Sequence, residues 1–264
     1  MLLTNGLWEL AWSLPSDLSP GRLALLLEKF PPPGAKLRKY TVESVFNAIL
    51  YLIKTGCQWR MLPPHYPKWR TVYNHFRSWS DRGWFRSSLI ILVMMRREAT
   101  GRNGRPTVGI IDSQSIRQVL PQSEKGVDGY KCVKGIKRHI VTDSQGYPLT
   151  ALMTKANVSD AKSAYPLIFS ALEKIPSIRL FKADKGYRGA LEHSLHIASD
   201  ARLQCVKSNF GKSGFVPPGG RWVEERTFSW LGGRRRINRN YEQYLRTAQQ
   251  MTIAACMMFM LRYF

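Results

Sequence analysis

The sequence predicts an α/β protein in which a helical N-terminal region precedes a region built around a mixed β-sheet. Apolar residues recur at helical spacing through much of the first 100 residues, whereas short apolar runs alternate with amphipathic segments beyond residue 106. The segment GRNGRP, residues 101–106, lies between these two patterns, and its glycines and proline are typical of a loop. We therefore predict two domains, residues 1–100 and residues 101–264.

The composition favours a folded cytoplasmic protein. The chain has 264 residues, of which 44% are hydrophobic, and this is enough for a sizeable core. Its four cysteines lack the spacing of a zinc or redox site, so we expect reduced thiols. The N-terminus does not resemble a signal peptide. The apolar segment 251–261 is shorter than the roughly 20 residues that span a bilayer, and it predicts a buried helix.

The net charge gives the strongest indication of a partner. The chain contains 40 Lys and Arg residues against 18 Asp and Glu residues, which is a formal net charge of +22. In a compact fold these positive charges repel one another unless a polyanion offsets them. We predict that this polyanion is nucleic acid. An anionic membrane is the less favoured alternative, because no strongly basic amphipathic helix of the membrane-surface type stands out in the sequence.

The N-terminal region contains two predicted helices with an irregular segment between them. Residues 41–56 carry an apolar stripe at helical spacing, and Thr41 can cap the start of this helix. Residues 57–69 contain three prolines and are predicted to be irregular. Residues 70–85 resume the helical period, with Arg77 on their polar face. This pattern fits either a helix-turn-helix-like DNA-binding domain or an ordinary helical bundle with solvated arginines.

The C-terminal region alternates between strands and helices. The predicted elements are, in chain order, strand 108–112, a hairpin of 136–143 and 149–156, helix 161–175, strand 179–184, helix 190–200, strand 202–208 and helix 221–233. This order predicts a mixed sheet with helices packed against it.

Two of the predicted strands end in an acid, Asp112 in VGIID and Asp184 in RLFKAD. Side chains at the ends of neighbouring strands can lie close together. Two carboxylates at such a short distance repel each other. A divalent metal such as Mg²⁺ relieves this repulsion, because it prefers oxygen ligands. A third acid from helix 221–233, Glu224 or Glu225, would complete a two-metal site for phosphoryl transfer. The alternative is that each Asp is a turn residue or a helix N-cap.

Several long motifs follow one another in a characteristic order. They are ILYLIKTGCQWRMLPPHYPKWRTVYNHFRSWSDRGWF, IIDSQS, GYKCVKGIKRHIVTDSQGYPL, ANVSDAKSA, ADKGYRG and RWVEERTFSWLGGRRRINRNYE. Together these motifs resemble the DDE transposases of bacterial insertion sequences, with insertion sequence family five as the closest group. The resemblance covers residues 36–264. It implies an RNase H-like core in which Asp112, Asp184 and Glu225 are the catalytic acids and the ligands of two Mg²⁺ or Mn²⁺ ions.

Two adjacent glutamates compete for the third catalytic position, and helical geometry does not choose between them. The resemblance favours Glu225, because the family usually has an apolar residue at the position of Glu224 and because Arg221 stands four residues before Glu225. Related transposases have a tyrosine three residues before that arginine, whereas this chain has Pro218 there. Glu224 therefore stays open as an alternative.

Basic residues accumulate in the stretches between and after these acids. Phosphate contacts from such residues position DNA without reading its sequence. The residues predicted to contact DNA are Lys134, Lys137, Arg138, Arg221, Arg234, Arg235, Arg236 and, in the N-terminal region, Arg77. The alternative for each of them is a solvated surface side chain. His139 is predicted to contact phosphate or to cap a strand, because hard oxygen sites rarely include a lone imidazole.

The resemblance and the charge together imply a transposase. Such a protein cleaves DNA at the ends of its insertion sequence and transfers the freed strand ends into target DNA. We expect its partner to be double-stranded DNA carrying terminal inverted repeats, held by a homodimer or larger assembly in the bacterial cytoplasm, at the nucleoid. Two alternatives stay open, namely a metal-dependent nuclease that cuts without joining and a non-catalytic DNA-binding relic of a transposase.

Overall fold

The computed structural model describes residues 17–34, 39–187, 199–205 and 222–264. The chain divides into two compact units, Met1–Trp84 and Phe85–Phe264. The loop at 101–106 therefore lies within the second unit, and most of the helix that precedes it belongs to that unit as well. The division of function between residues 1–100 and 101–264 stays a prediction. The predicted helix 190–200 falls mostly outside the described residues.

The first unit is helical. Its described helices are α1 (Pro20–Lys29), α2 (Val42–Thr55) and α3 (Trp69–Asp81), with a short 3₁₀ turn at Trp59–Met61. The cap predicted for α2 is confirmed, because Oγ1 of Thr41 accepts a hydrogen bond of 3.1 Å from the backbone N–H of Ser44. The prediction of one helix over 70–85 is wrong. Helix α3 stops at Asp81, and Gly83 then takes a φ of 68°, which breaks the helical path.

Aromatic packing fills the core of the first unit. Phe46 on α2 and Phe76 and Trp79 on α3 are almost completely buried. The ring of Trp84 lies 5.7 Å from that of Phe46 and 5.0 Å from that of Trp79, measured between ring centroids. Offset and edge-on rings at this spacing attract each other beyond the area they bury. Arg77 lies on the opposite, exposed side of α3. The helix-turn-helix interpretation of this unit stays a prediction.

The second unit combines helices with a six-stranded sheet. Its described elements are α4 (Trp84–Glu98), which begins at the division between the units, β1 (Val108–Arg117), β2 (Gly126–Asp128), β3 (Val133–Thr142), β4 (Pro148–Lys155), α5 (Asp160–Lys174), β5 (Leu180–Ala183), a 3₁₀ turn (Lys185–Tyr187), β6 (Arg202–Cys205), α6 (Trp222–Gly232), α7 (Arg235–Asn238), α8 (Leu245–Met260) and a last 3₁₀ turn (Leu261–Tyr263).

The sheet is mixed, as the sequence predicts. Its strands lie in the order β2-β3-β1-β5-β6, and β4 also pairs with β3. Strands β1, β3 and β4 form antiparallel pairs, which confirms the predicted hairpin. Strand β5 runs parallel to both β1 and β6. The central strand β1 therefore has an antiparallel neighbour on one side and a parallel neighbour on the other.

Helices cover both faces of this sheet. Successive side chains of a strand point to opposite faces. On β3, the side chain of Lys137 contacts Asp160 at the start of α5, whereas that of Arg138 contacts the backbone of Ile237 in α7. Helix α8 packs against β4, and its residues from Met251 to Met260 are all buried, as the sequence predicts. No helix within the described ranges is long and apolar enough to cross a membrane.

Candidate active site

Asp112 lies inside strand β1 rather than at its end. The prediction that the strand stops at this acid is wrong, because β1 continues to Arg117. The extra length has a clear cause, since β3 pairs with β1 as far as Arg117. The parallel pairing with β5 ends earlier, at the pair Ile111 and Ala183. Asp112 therefore follows the last residue of β1 that β5 covers.

Asp184 follows directly after the last residue of β5, Ala183. Because Ile111 pairs with Ala183, Asp112 and Asp184 each directly follow a paired residue of two parallel strands. Asp112 is half-buried and Asp184 is exposed. Both predicted acids thus follow the point where the parallel pairing ends. Their catalytic role stays a prediction.

Backbone hydrogen bonds fix both carboxylates. Oδ1 of Asp112 accepts a hydrogen bond of 2.7 Å from the N–H of Ser113. Oδ1 of Asp184 accepts one of 2.6 Å from the N–H of Gly186, in the 3₁₀ turn that follows β5. These contacts hold each carboxylate in a defined orientation.

Helix α6, which carries Glu224 and Glu225, packs on the same face of the sheet as Asp112. Asp112 pairs with Ile140 of β3, so it shares its face with Arg138, two residues away. The guanidinium carbon of Arg138 lies 5.8 Å from the ring centre of Phe228 in α6. Helix α6 also contacts β1 itself. The side chains of Glu224 and Glu225 are outside the described part of the chain, so the choice between them stays a prediction.

The turn between β3 and β4 anchors α6. Oγ1 of Thr227 donates a hydrogen bond of 2.9 Å to the carbonyl of Gly146, and the guanidinium of Arg226 donates to the carbonyl of Gln145. Gly146 has a φ of 80°, and a Cβ on it would lie 2.8 Å from Cγ1 of Val223. Only glycine fits this close approach without strain. The segment DSQGYP is therefore a docking surface for the helix as well as a hairpin turn.

A second group of polar side chains lies on the opposite face of the sheet. Its members, named the reverse-face cluster here, are Ser113, Lys137, His139, Thr154, Asp160 and Tyr187. Oδ1 of Asp160 lies 3.1 Å from both Oγ of Ser113 and Nζ of Lys137. Nδ1 of His139 lies 3.3 Å from the Tyr187 hydroxyl, and its Nε2 lies 3.0 Å from Oγ1 of Thr154.

Burial keeps two members of this cluster neutral. Burial lowers the pKa of His139 to about 4; the charge of Asp160 raises this pKa only in part, while Lys137 lowers it further. Burial also raises the pKa of the Tyr187 phenol, and the charges of Asp160, Asp112 and Asp184 raise it further. The prediction that His139 contacts phosphate is not supported by its position, since this side chain is completely buried.

Neither Asp160 nor Tyr187 is among the site residues predicted from the sequence. Both lie inside motifs that carry the resemblance, ANVSDAKSA and ADKGYRG. One local signal was available, because Ser159 before Asp160 reads as a helix N-cap, and Oγ of Ser159 does accept from the N–H of Lys162 at 3.4 Å. No local pattern shows that the side chains of Tyr187 and Asp160 converge on β1 and β3 from different elements.

Four of the basic residues predicted to contact DNA lie in the interior instead. They are Lys137, Arg138, Arg234 and Arg236, each at most 8% exposed. Arg138 donates to the carbonyl of Ile237 at 3.2 Å and to Oε1 of Gln114 at 2.5 Å, and burial lowers its pKa to about 10. Arg236 forms an ion pair of 2.7 Å with Glu242. Internal partners thus hold these cations away from the surface.

Three of the predicted DNA contacts are exposed side chains, namely Lys134, Arg235 and Arg77. Lys134 stands on β3 just before its buried part begins, and Arg235 opens α7. Arg77 is on α3, where Asn74 and Arg70 are also exposed, and the exposed Arg82 directly follows this helix. Arg221 is outside the described residues. The exposed cations are the ones available to a polyanion.

The donor set at the sheet edge fits a divalent cation. Asp112 and Asp184 offer carboxylate oxygens from adjacent strands, and Mg²⁺ and Mn²⁺ bind such hard oxygen ligands. Among the side chains that the structure describes, no three His, Cys, Asp or Glu residues form a metal-binding group. The third ligand that the sequence predicts is on α6, where the glutamate side chains are outside the described residues.

Comparison with known families identifies the chain. A family described as "Transposase DDE domain" matches residues 103–260, which is more than half of the chain.

The chain belongs to the DDE transposases of insertion sequences.

A second family, described as "Putative transposase of IS4/5 family", matches residues 21–89 of this DDE transposase. A curated relative from Burkholderia cepacia, named "Putative transposase for insertion sequence element IS402", is 34% identical over 126 residues. That match covers 41% of this chain and 54% of the relative, so the chain spans about half the length of the curated protein it matches. Membership of the DDE family implies an RNase H-like fold, and the mixed sheet with helices packed on it agrees with that fold.

Proposed function

We propose that this chain cleaves DNA at the ends of an insertion sequence and joins the freed strand ends to target DNA. One observation supports this proposal, namely the register in which Asp112 and Asp184 directly follow the paired residues Ile111 and Ala183. Helix α6, with Glu224 and Glu225, contacts the same strand. Three acids from two neighbouring strands and one helix are what a two-metal phosphoryl transfer requires.

The chain's own acids would hold the metal ions. We assign Asp112, Asp184 and Glu225 as ligands and as the catalytic residues. When bound, two Mg²⁺ or Mn²⁺ ions would stabilise the charge that develops on the attacking and leaving oxygens of the phosphodiester. Asp184 is exposed, so a DNA backbone can approach this edge of the sheet from solvent. The anchoring of α6 by Thr227 and Gly146 would hold the third acid in place.

DNA binding would use exposed cations in both units. Lys134 and Arg235 supply positive charge in the second unit, and Arg77 with its exposed neighbours Arg70 and Arg82 supplies it on and directly after α3. Contacts with phosphates position a duplex, and base contacts from α3 would read the terminal repeat. Both ends of the element must be cut and joined together, so we propose that a homodimer or larger assembly binds the DNA.

The first experiment tests cleavage with a single substitution at the proposed site. The purified chain is incubated with DNA carrying the inverted repeats that flank its gene, in the presence of Mg²⁺ or Mn²⁺. We expect nicks at the repeat tips and joined products. Asp112→Asn should bind the same DNA but lower cleavage by about 10³-fold or more, because it removes a carboxylate that the transition state needs.

Asp200→Asn is the matched control, because Asp200 is an exposed acid in the same unit. This variant should cleave at the rate of the unsubstituted chain. Full cleavage by Asp112→Asn would contradict the assignment of the site. Metal-dependent nicks without any joined product would identify a nuclease, and binding without cleavage by the unsubstituted chain would identify a DNA-binding relic.

A further inference from the structure

The reverse-face cluster gathers an unusual amount of charge and polarity inside the second unit. Lys137 and His139 are at most 8% exposed, and Tyr187 is 1% exposed. Burying a cation is costly unless an anion and hydrogen bonds accompany it, and a buried ion pair adds little net stability compared with apolar packing. Stability therefore gives no good reason for an ion pair between Lys137 and Asp160 at this position.

The cluster touches the residues next to both proposed catalytic acids. Ser113 directly follows Asp112 in β1, and its hydroxyl donates to Oδ1 of Asp160 at 3.1 Å. Gly186 and Tyr187 lie in the turn that directly follows Asp184. A Cβ on Gly186 would lie 3.4 Å from Oδ2 of Asp160 and 3.5 Å from Oδ1 of Asp184, so the two carboxylates flank the same glycine. Asp160 thus bonds to β1 and lies beside the turn that follows β5.

Asp160 is itself held firmly. It is the first residue of α5, directly after the N-cap Ser159. A carboxylate in the first turn of a helix is stabilised by the partial positive charge of the helix N-terminus. Lys137 approaches from β3, where Nζ donates both to Asp160 and, at 3.1 Å, to the carbonyl of Val158. The start of α5 is therefore tied to β3 on one side and to β1 on the other.

We propose that Asp160, held by Lys137, is a positioning residue that fixes Asp112 and Asp184 relative to each other from the reverse face of the sheet. This inference rests on the proposed function, because it assumes that these two acids bind metal. Asp160 acts through Ser113 on β1 and by packing beside the turn at Gly186, which follows β5. It does not need to touch the metal, since Asp112 lies on the opposite face.

The test measures metal affinity directly, with Mn²⁺ alone as the probe. Mn²⁺ binding to the full chain is followed by isothermal titration calorimetry, and the melting temperature by circular dichroism. We expect Asp160→Asn to raise the Kd for Mn²⁺ by about 10-fold, which is typical when a partner that orients metal ligands is lost. Lys137→Gln should also raise the Kd for Mn²⁺. The variant carrying both substitutions should have a Kd no higher than that of the weaker-binding single variant.

Glu173→Gln provides the matched control. Glu173 lies at the other end of α5 and forms an ion pair of 3.5 Å with Arg86, so the same change removes an ion pair far from the acids. Its Mn²⁺ affinity should equal that of the unsubstituted chain. A purely structural role for Asp160 would lower the melting temperature without changing the Kd for Mn²⁺, and this result would overturn the inference.

A second variant keeps the inference testable if Asp160→Asn does not fold. Ser113→Ala removes one donor to Asp160 and should raise the Kd for Mn²⁺ by a smaller factor, so an unchanged Kd would overturn the inference. A chain that binds Mn²⁺ but neither cuts nor joins DNA would contradict the proposed function and leave the inference standing. A chain that binds no Mn²⁺ would overturn the metal site and the inference together.

Discussion

Individual cations of this chain have different roles according to where along a strand they lie. Lys134 is exposed, whereas Arg138, on the same strand, is 1% exposed and donates to Ile237 and Gln114. Sequence alone assigns both to DNA, because lysines and arginines are rarely buried. The partners of Arg138 come from segments far away in the chain, and no local pattern reveals them.

A pair of substitutions separates the two roles. Arg138→Gln should lower the free energy of unfolding by about 1–3 kcal/mol, because buried acceptors lose their donor. Lys134→Gln should change that free energy by less than about 0.5 kcal/mol. It should, however, reduce the slope of log affinity for DNA against log salt concentration by about one. Urea titrations and binding at several salt concentrations measure both. Equal unfolding free energies in the two variants would contradict the burial argument.

At the scale of elements, the sequence predicts most of the strands and helices correctly, since their periodicity is a local property. Helix α2, the β3–β4 hairpin and helix α6 lie where their patterns indicate. The continuation of β1 to Arg117 escapes such reasoning, because a neighbouring strand supplies the pairing. The anchoring of α6 on the turn at Gly146 likewise depends on residues distant in sequence.

The anchor of α6 can be tested at that glycine. Gly146→Ala should destabilise the protein by more than the 1–2 kcal/mol expected for a left-handed alanine, because its Cβ also meets Val223 at 2.8 Å. Cleavage should fall more than DNA binding does. Gly101→Ala is the control, since Gly101 has a φ of 71° and no atom near its missing Cβ. Urea unfolding compares the two variants, and equal losses would show that no close contact exists at Gly146.

At the scale of the whole molecule, the charge of +22 is the property that the sequence states most directly. The charge predicts a polyanionic partner, and the matched families are transposases. Charge alone could not show which cations face solvent, as the interior positions of Arg234 and Arg236 demonstrate. The two proposed acids are predicted from strand ends, and the pairing of β1 with β5 places each of them directly after a paired residue.

The charge makes a prediction for DNA affinity in salt. If six to ten phosphates are contacted, affinity should fall by about 10³–10⁵-fold between 50 and 200 mM salt, because binding releases condensed counterions. Fluorescence anisotropy with a labelled duplex measures this slope. The control is a duplex of unrelated sequence, which should show a similar slope at lower affinity. An affinity independent of salt would contradict a role for the exposed cations.

The parallel pairing of β1 with β5 also sets the order in which the site can come into existence during synthesis. Strand β1 leaves the ribosome first, and β3, β4 and α5 must follow before β5 can dock beside it. Non-local pairing of this kind is slow compared with helix formation. The helical first unit can therefore fold while the acids are still apart. A nascent or prematurely terminated chain that lacks β5 would carry Asp112 without Asp184, and so would lack one of the two strand acids of the proposed site.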